Sequence, residues 1–317
     1  MSHVVLAPRS FSRAALVAAL LAVGCAWGGT VPLVQVSVRS GLSPLLITLW
    51  EIIYSVALLA LACAVTGRWP RRSWPWVARY AAIAVFGTVV PGVLTYWAAD
   101  HLPGGVLALV LATVPMFTLV IAVLVGTDRF TPGRLLGLVL ALVGIAVLVL
   151  PGEALPEAAE AIFILVALGS TLCYATESNV VARFVPPAED AIATLLGACI
   201  AGLAMTLPAT LLFGRWDAAP APWNAGAWGD AEWAIFGITV LHVVAYSGYL
   251  WLVGRAGPIF TSQVGPVVTV AGVLFSVWFL DERNSAWIWL SLVLLVSGLM
   301  LVRPRDDDPL AARTGSP

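Results

Sequence analysis

Three ionisable residues stand inside long apolar runs of this chain: Glu51 in "LLITLWEIIYSVALL", Glu177 in "STLCYATESNVVA" and His242 in "IFGITVLHVVAYSGYL". Groups of this kind take up and release protons, and histidine does so near neutral pH. Helical spacing gives each a polar face: Tyr54 and Ser55 beside Glu51, Ser170, Cys173 and Tyr174 beside Glu177, and Thr239, Tyr246 and Tyr249 beside His242. Such stripes are expected to line an interior cavity, where they would hold a polar solute or pass a proton. Trp27, Trp97 and Gln263 join the candidates for solute contact. The competing reading is that the charged residues are satisfied by Tyr, Thr or backbone partners and serve packing alone.

The elements that must carry these residues follow from composition. The chain has 317 residues, 61% hydrophobic and 10% charged, with a mean hydropathy of +0.97, whereas a soluble domain is about a quarter charged. A bilayer core of about 30 Å takes about 20 apolar residues per helix. That unit recurs ten times, at roughly 14–37, 44–66, 76–99, 103–126, 131–150, 160–183, 190–213, 232–254, 258–280 and 285–302. Stretches such as "LLGLVLALVGIAVLVL" are apolar on every face, which fits helices and not the alternating strands of a membrane barrel. The opening "RSFSRAALVAALLAVGCA" has the basic flank of a secretion signal, but its apolar run continues to Val36, too long for a signal core.

All sixteen basic residues are Arg. With the amino terminus inside, thirteen fall on the cytoplasmic side, and Arg39, Arg215 and Arg283 are left outside. The expectation is therefore an all-α integral membrane protein of ten transmembrane helices with both termini cytoplasmic. Residues 303–317 are expected to form a disordered cytoplasmic tail. Glu51 then lies about a third of the way in from outside, Glu177 in the inner third and His242 near the middle of its helix.

A shift of 154 positions places Asp128 on Glu282, Arg129 on Arg283, Gly144 on Gly298 and Trp97 on Trp251. A separate shift of 147 sets Trp27 against Tyr174. Five helices per copy is an odd number, so the second copy must be inverted in the membrane, and substrate sites of inverted repeats lie near the midplane between the halves. Asp128, Arg129, Glu282 and Arg283 are read as structural turns, their acids capping the next helix's amino terminus. Glycines at Gly24 and Gly28, and at Gly133 and Gly137, allow close helix approach.

The segments "ATVPMFTLVIAVLVGTDRFTPGRLLGLVLALVG" and "TSQVGPVVTVAGVLFSVWFLDERNSAWIWLSLVLLVSG" carry a resemblance. The halves, 14–150 and 160–302, resemble the EamA domain of the drug/metabolite transporter superfamily, whose members carry two such five-helix domains. The sequence departs from the family at Asp128, where Glu is usual, and at Thr269, which stands where the first half has Pro115.

The resemblance implies a secondary active or facilitative transporter, an exporter of small organic metabolites such as amino acids, in a bacterial inner membrane. The rival classes are an intramembrane enzyme and a non-transporting subunit of a flippase. HExxH, GxSxG and phosphate-loop motifs are absent from the sequence, and the four cysteines lack metal-ligand spacing. The expected partners are thus a small solute and the lipid bilayer, with no cofactor, metal or nucleic acid. Whether the chain forms a homodimer is left open.

Overall fold

The computed structural model describes residues 11–149, 161–186, 189–214 and 228–302. Among the described residues every regular element is helical, and seven helices are long and apolar enough to cross a bilayer. Three shorter apolar helices accompany them, Pro132–Leu148, Val264–Leu280 and Ala286–Leu301. Large apolar side chains such as Leu61, Val65, Leu124, Leu211, Phe213 and Val293 point outward, where hydrocarbon accepts them and water would not. The chain is a multi-pass membrane protein. The expected tail at 303–317 and most of the Trp-bearing segment after Arg215 lie outside the described residues.

Local chemistry sets the helix ends and the internal breaks. Ser12 caps α1 (Arg13–Gly28) by accepting from the Ala15 N–H. The chain pauses at Gly29 and resumes as α2 (Thr30–Arg39), so the first expected span is a broken pair. Pro32 has no N–H to give the Gly28 carbonyl, and in the same turn Thr30 Oγ1 donates to the Trp27 carbonyl at 2.7 Å. α3 (Pro44–Thr66) starts with Ser43 as cap and proline in its first turn, and it stops at Gly67, whose φ of 70° suits glycine.

The third expected span is α4 (Trp74–Ala84), a π-helical stretch at Val85–Val89, and α5 (Val90–Ala99). Pro91 cannot donate to the Gly87 carbonyl, and the Val90 N–H reaches back to Val85, which widens the turn. The fourth span is also divided, into α6 (Gly104–Leu111) and α7 (Val114–Leu124). Then come α8 (Pro132–Val149), α9 (Ala161–Phe184), α10 (Ala191–Phe213), α11 (Asp230–Thr261), α12 (Val264–Leu280) and α13 (Ala286–Leu301).

One boundary differs clearly from expectation. The expected spans 232–254 and 258–280 place a break at 255–257, yet α11 continues to Thr261 and the break falls at Ser262–Gln263. Glycine and proline weaken a helix, but neighbours in a membrane bundle can satisfy the freed backbone.

The packing has an exchange pattern between the two halves of the chain. α1 lies on α11 and α12, and α9 lies correspondingly on α5 and α7. α3 lies on α11 while α10 lies on α4, and the pairs α3 with α10, α6 with α12, and α8 with α13 map onto themselves. The α8–α13 seam is backbone-close: a Cβ added at Gly137 or at Gly298 would fall 2.6 Å from the other's carbonyl oxygen. Ser291 Oγ donates across the same seam to the Gly144 carbonyl at 2.8 Å. The largest core cluster draws on both halves, from Ile47 and Leu107 to Ile238 and Leu295.

Candidate functional site

α3, α5 and α11 bring three polar side chains to one point. Tyr96 Oη donates to Glu51 Oε2 at 2.6 Å, and His242 Nδ1 lies 2.9 Å from Glu51 Oε1. α3 and α5 come from the first half and α11 from the second. The Glu51 side chain is 17% exposed and that of His242 43% exposed, so the carboxylate is hidden and the imidazole reaches open space. Nδ1 donates to the carboxylate in the cationic ring and in one neutral tautomer, which leaves Nε2 for another partner. Hydrogen bonds and opposite charge are what make a carboxylate tolerable at this depth.

Glu177 stands apart from this cluster. On α9, Ser170 Oγ shares a 2.7 Å hydrogen bond with Thr95 Oγ1 of α5; Glu177 lies seven residues further, about 10 Å along the axis. Its side chain rests on the π-helical turn, where a Cβ at Gly87 would come within 2.7 Å of Glu177 Cγ. Tyr174 lies one turn earlier on α9, and Tyr246 lies on α11. Among the described residues, no hydrogen bond or ion pair reaches the Glu177 carboxylate.

The other candidates divide. Trp27 of α1 meets Tyr249 of α11 with ring centroids 5.7 Å apart, joining the halves. Tyr54 belongs to a separate aromatic cluster with Trp50, Trp228 and Phe236. Trp97 is 46% exposed and packs edge-on against Phe163, so it faces away from Glu51 and His242. Gln263 sits at the α11–α12 break, its Nε2 3.4 Å from Ser262 Oγ. Tyr96, absent from the sequence-level candidates, is a direct partner of Glu51. In sequence it is one more aromatic in an apolar helix.

A cavity of about 770 Å³ lies between the start of α10, the α3–α4 connection and α11, lined among others by Ser247, Leu250 and Trp251. Two ion pairs cross between the halves at its rim, Arg68–Asp190 and Arg71–Glu189, each at 2.9 Å. Partial burial raises the affinity of Asp190 for a proton, but the Ala193 N–H and the Arg68 guanidinium more than offset this and hold its carboxyl below the usual range.

The acid turns are not equivalent, and neither acid caps the helix that follows it. Glu282 accepts from Gly104 N–H at 2.6 Å and Gly105 N–H at 3.0 Å, capping α6 of the other half. Asp281 beside it turns the chain with a φ of 54°, a conformation aspartate tolerates. Asp128 instead accepts from its neighbour Arg129 N–H and pairs with the buried Arg134, both at 2.7 Å. Arg283 is exposed.

Two matches with known proteins bear on this arrangement. The model of the EamA-like transporter family matches residues 14–150 and 161–303. A solved crystal structure aligns with a TM-score of 0.61 at 20% identity, over 96% of this chain and 100% of its own, which shows a shared fold. A search among curated proteins finds no match.

Proposed function

Because the chain belongs to the EamA-like transporter family, we propose that it is a secondary active or facilitative transporter that exports small organic metabolites, amino acids or related compounds among them. The observation that carries this reading is Glu51, on α3 of the first half, bonded at 2.9 Å to His242 on α11 of the second. A titratable link across the two halves is what alternating access can use.

In this mechanism the halves rock about the shared site. With Glu51 and His242 together, the carboxylate is satisfied by Tyr96 and the imidazole. When α11 moves against α3 the pair parts, and the separated carboxylate takes a proton because an isolated charge is costly there. Return of the halves restores the pair and releases the proton to the other side.

Ten crossings, inverted repeats and cytoplasmic termini belong to the same reading. The exchange pattern of helix contacts supports the repeat relation, and the thirteen-to-three division of Arg supports the orientation. A bacterial inner membrane is the setting it implies. A screen of metabolite efflux from overexpressing cells, followed by flux of the same solute through the purified protein in liposomes, tests the function. Flux by the protein alone is the expected result; solute release in cells that the purified chain cannot reproduce would contradict it.

A further inference from the structure

We infer that Glu282 is a one-sided latch, holding the two halves together at one face in the resting state, while its repeat counterpart Asp128 is kept from the mirror role. The inference rests on the transport reading above and adds the direction in which the molecule rests: closed at the Glu282 face, which the proposed orientation sets outside.

The bond itself crosses the halves. Glu282, in the turn between α12 and α13, accepts from the Gly104 and Gly105 N–H groups at the start of α6, at 2.6 and 3.0 Å. A carboxylate on the first N–H groups of a helix also meets the positive end of its dipole. Two glycines allow the approach: a Cβ at Gly104 would fall 2.6 Å from Ser276 Oγ of α12, and one at Gly105 would fall 3.0 Å from Asn284 Nδ2. α6 and α12 are one of the pairs that map onto themselves, so on the transport reading the bond lies on a seam that the rocking halves open.

The mirror position lacks each part of this arrangement. The 154-residue offset sets Gly104 and Gly105 on Pro258 and Ile259. Proline has no N–H to offer, and α11 runs unbroken through both positions to Thr261, whereas the first half breaks between α5 and α6. The acid there is Asp128, one methylene shorter and held within its own half: it accepts from the Arg129 N–H and from the Arg134 guanidinium, both at 2.7 Å. Arg134 is buried, and its counterpart in the second half is Ile288, so no arginine at that offset competes for Glu282. Latched at one face and not at the other, the molecule rests closed at the Glu282 face and presents its site to the opposite side. For an exporter that is the side from which solute is loaded. Flux requires the bond to break and re-form, so its loss shifts the resting population without stopping turnover.

The test measures distances between paired spin labels in the full-length protein, purified in detergent after replacement of its native cysteines. His101→Cys with Arg283→Cys reads the latched face; Arg255→Cys with Arg129→Cys, the counterparts at the same offset, reads the other. Glu282→Ala should raise the long-distance fraction between 101 and 283 by about threefold or more, and it should shorten the distances between 129 and 255. Asp128→Ala should leave both distributions as in the parent. If Glu282→Ala does not purify as a folded species, Glu282→Gln replaces it: one acceptor oxygen remains, the charge is lost, and a smaller change in the same directions is expected. Lengthening confined to 101 and 283 would mean a frayed turn and no latch. That outcome, unchanged distances in the Glu282 variant, or an equal shift in Asp128→Ala would overturn the inference. Liposome flux keeps the two claims apart. Shifted distances with no flux of any solute would end the transport reading alone, and flux with unshifted distances would end the latch alone.

Discussion

Glu51 and Glu177 are the same residue type, in helices of 23 and 24 residues, each sharing its helix face with small or aromatic polar side chains, Tyr54 and Ser55 after Glu51 and Ser170, Cys173 and Tyr174 before Glu177. Their environments are opposite. Glu51 is closed within the chain by a tyrosine and a histidine from two other helices, and Glu177 rests on a glycine with nothing bonded to its carboxylate among the described residues. The difference teaches that an acid in an apolar helix is defined by what the neighbouring helices bring to it.

That contrast can be broken first by a paired substitution, which carries the largest expected effect. Glu177→Gln should reduce solute-for-solute exchange in liposomes by about tenfold or more, the loss of one good charged contact, while Glu51→Gln leaves exchange within a few-fold of the parent. On the proposed mechanism, exchange needs the solute site and the rocking halves, not the closed pair. Equal losses in the two variants would erase the distinction.

Tyr96→Phe sharpens the comparison at smaller scale. A hydrogen bond to a charged group contributes about 1.5–3 kcal/mol, so the variant should lower the Tm of the purified protein by removing one of the two donors to Glu51. An unchanged Tm would mean that the bond adds nothing to stability.

The rim ion pairs give a pH dependence of lesser size. Asp190 has a depressed folded-state value, so its contribution is present above the ordinary aspartate range and is lost as pH falls through the folded value. The stability difference between wild type and Asp190→Ala should therefore shrink on acidification below about pH 4. At neutral pH the loss of this cap should cost about 0.5–2 kcal/mol. A difference that grows on acidification would contradict the assignment.

The two acid turns carry the smallest effect. Glu282→Gln and Asp128→Asn should lower the yield of folded protein more than turnover per folded molecule, with terminal charges contributing about 0.3–1 kcal/mol. Full yield with abolished flux would place them in the mechanism. Single cysteines at Thr127 and Arg283, in a cysteine-free background, should label from opposite faces of the membrane if the repeats are inverted.

What the sequence made legible was the charge itself. Glu51, Glu177 and His242 were visible because each interrupts an apolar run, and the 154-residue offset pointed to Gly144 and Gly298, both of which lie on the α8–α13 seam. Partnership was not visible. Glu51 and His242 are 191 residues apart, and no local pattern ties a residue of α3 to one of α11. Tyr96 was missed because burial, not spacing, brings it to Glu51. Trp97 was favoured by its repeat position, yet its side of α5 turns outward against Phe163. Pro91 was visible, but its position alone does not say that the turn before it widens into a π-helical stretch. The Glu282 bond to Gly104 and Gly105 crosses from one half to the other in the same way.

The central claim is that the Glu51–His242 pair couples movement of the halves to a proton. Its most direct test is solute flux by the purified protein in liposomes with and without an imposed pH gradient, in wild type, Glu51→Gln and His242→Ala. The account predicts that the gradient accelerates wild-type flux and that both variants lose this acceleration while still exchanging solute for solute. Wild-type flux indifferent to the gradient, or variants that keep full gradient dependence, would contradict it and return the pair to a role in helix packing.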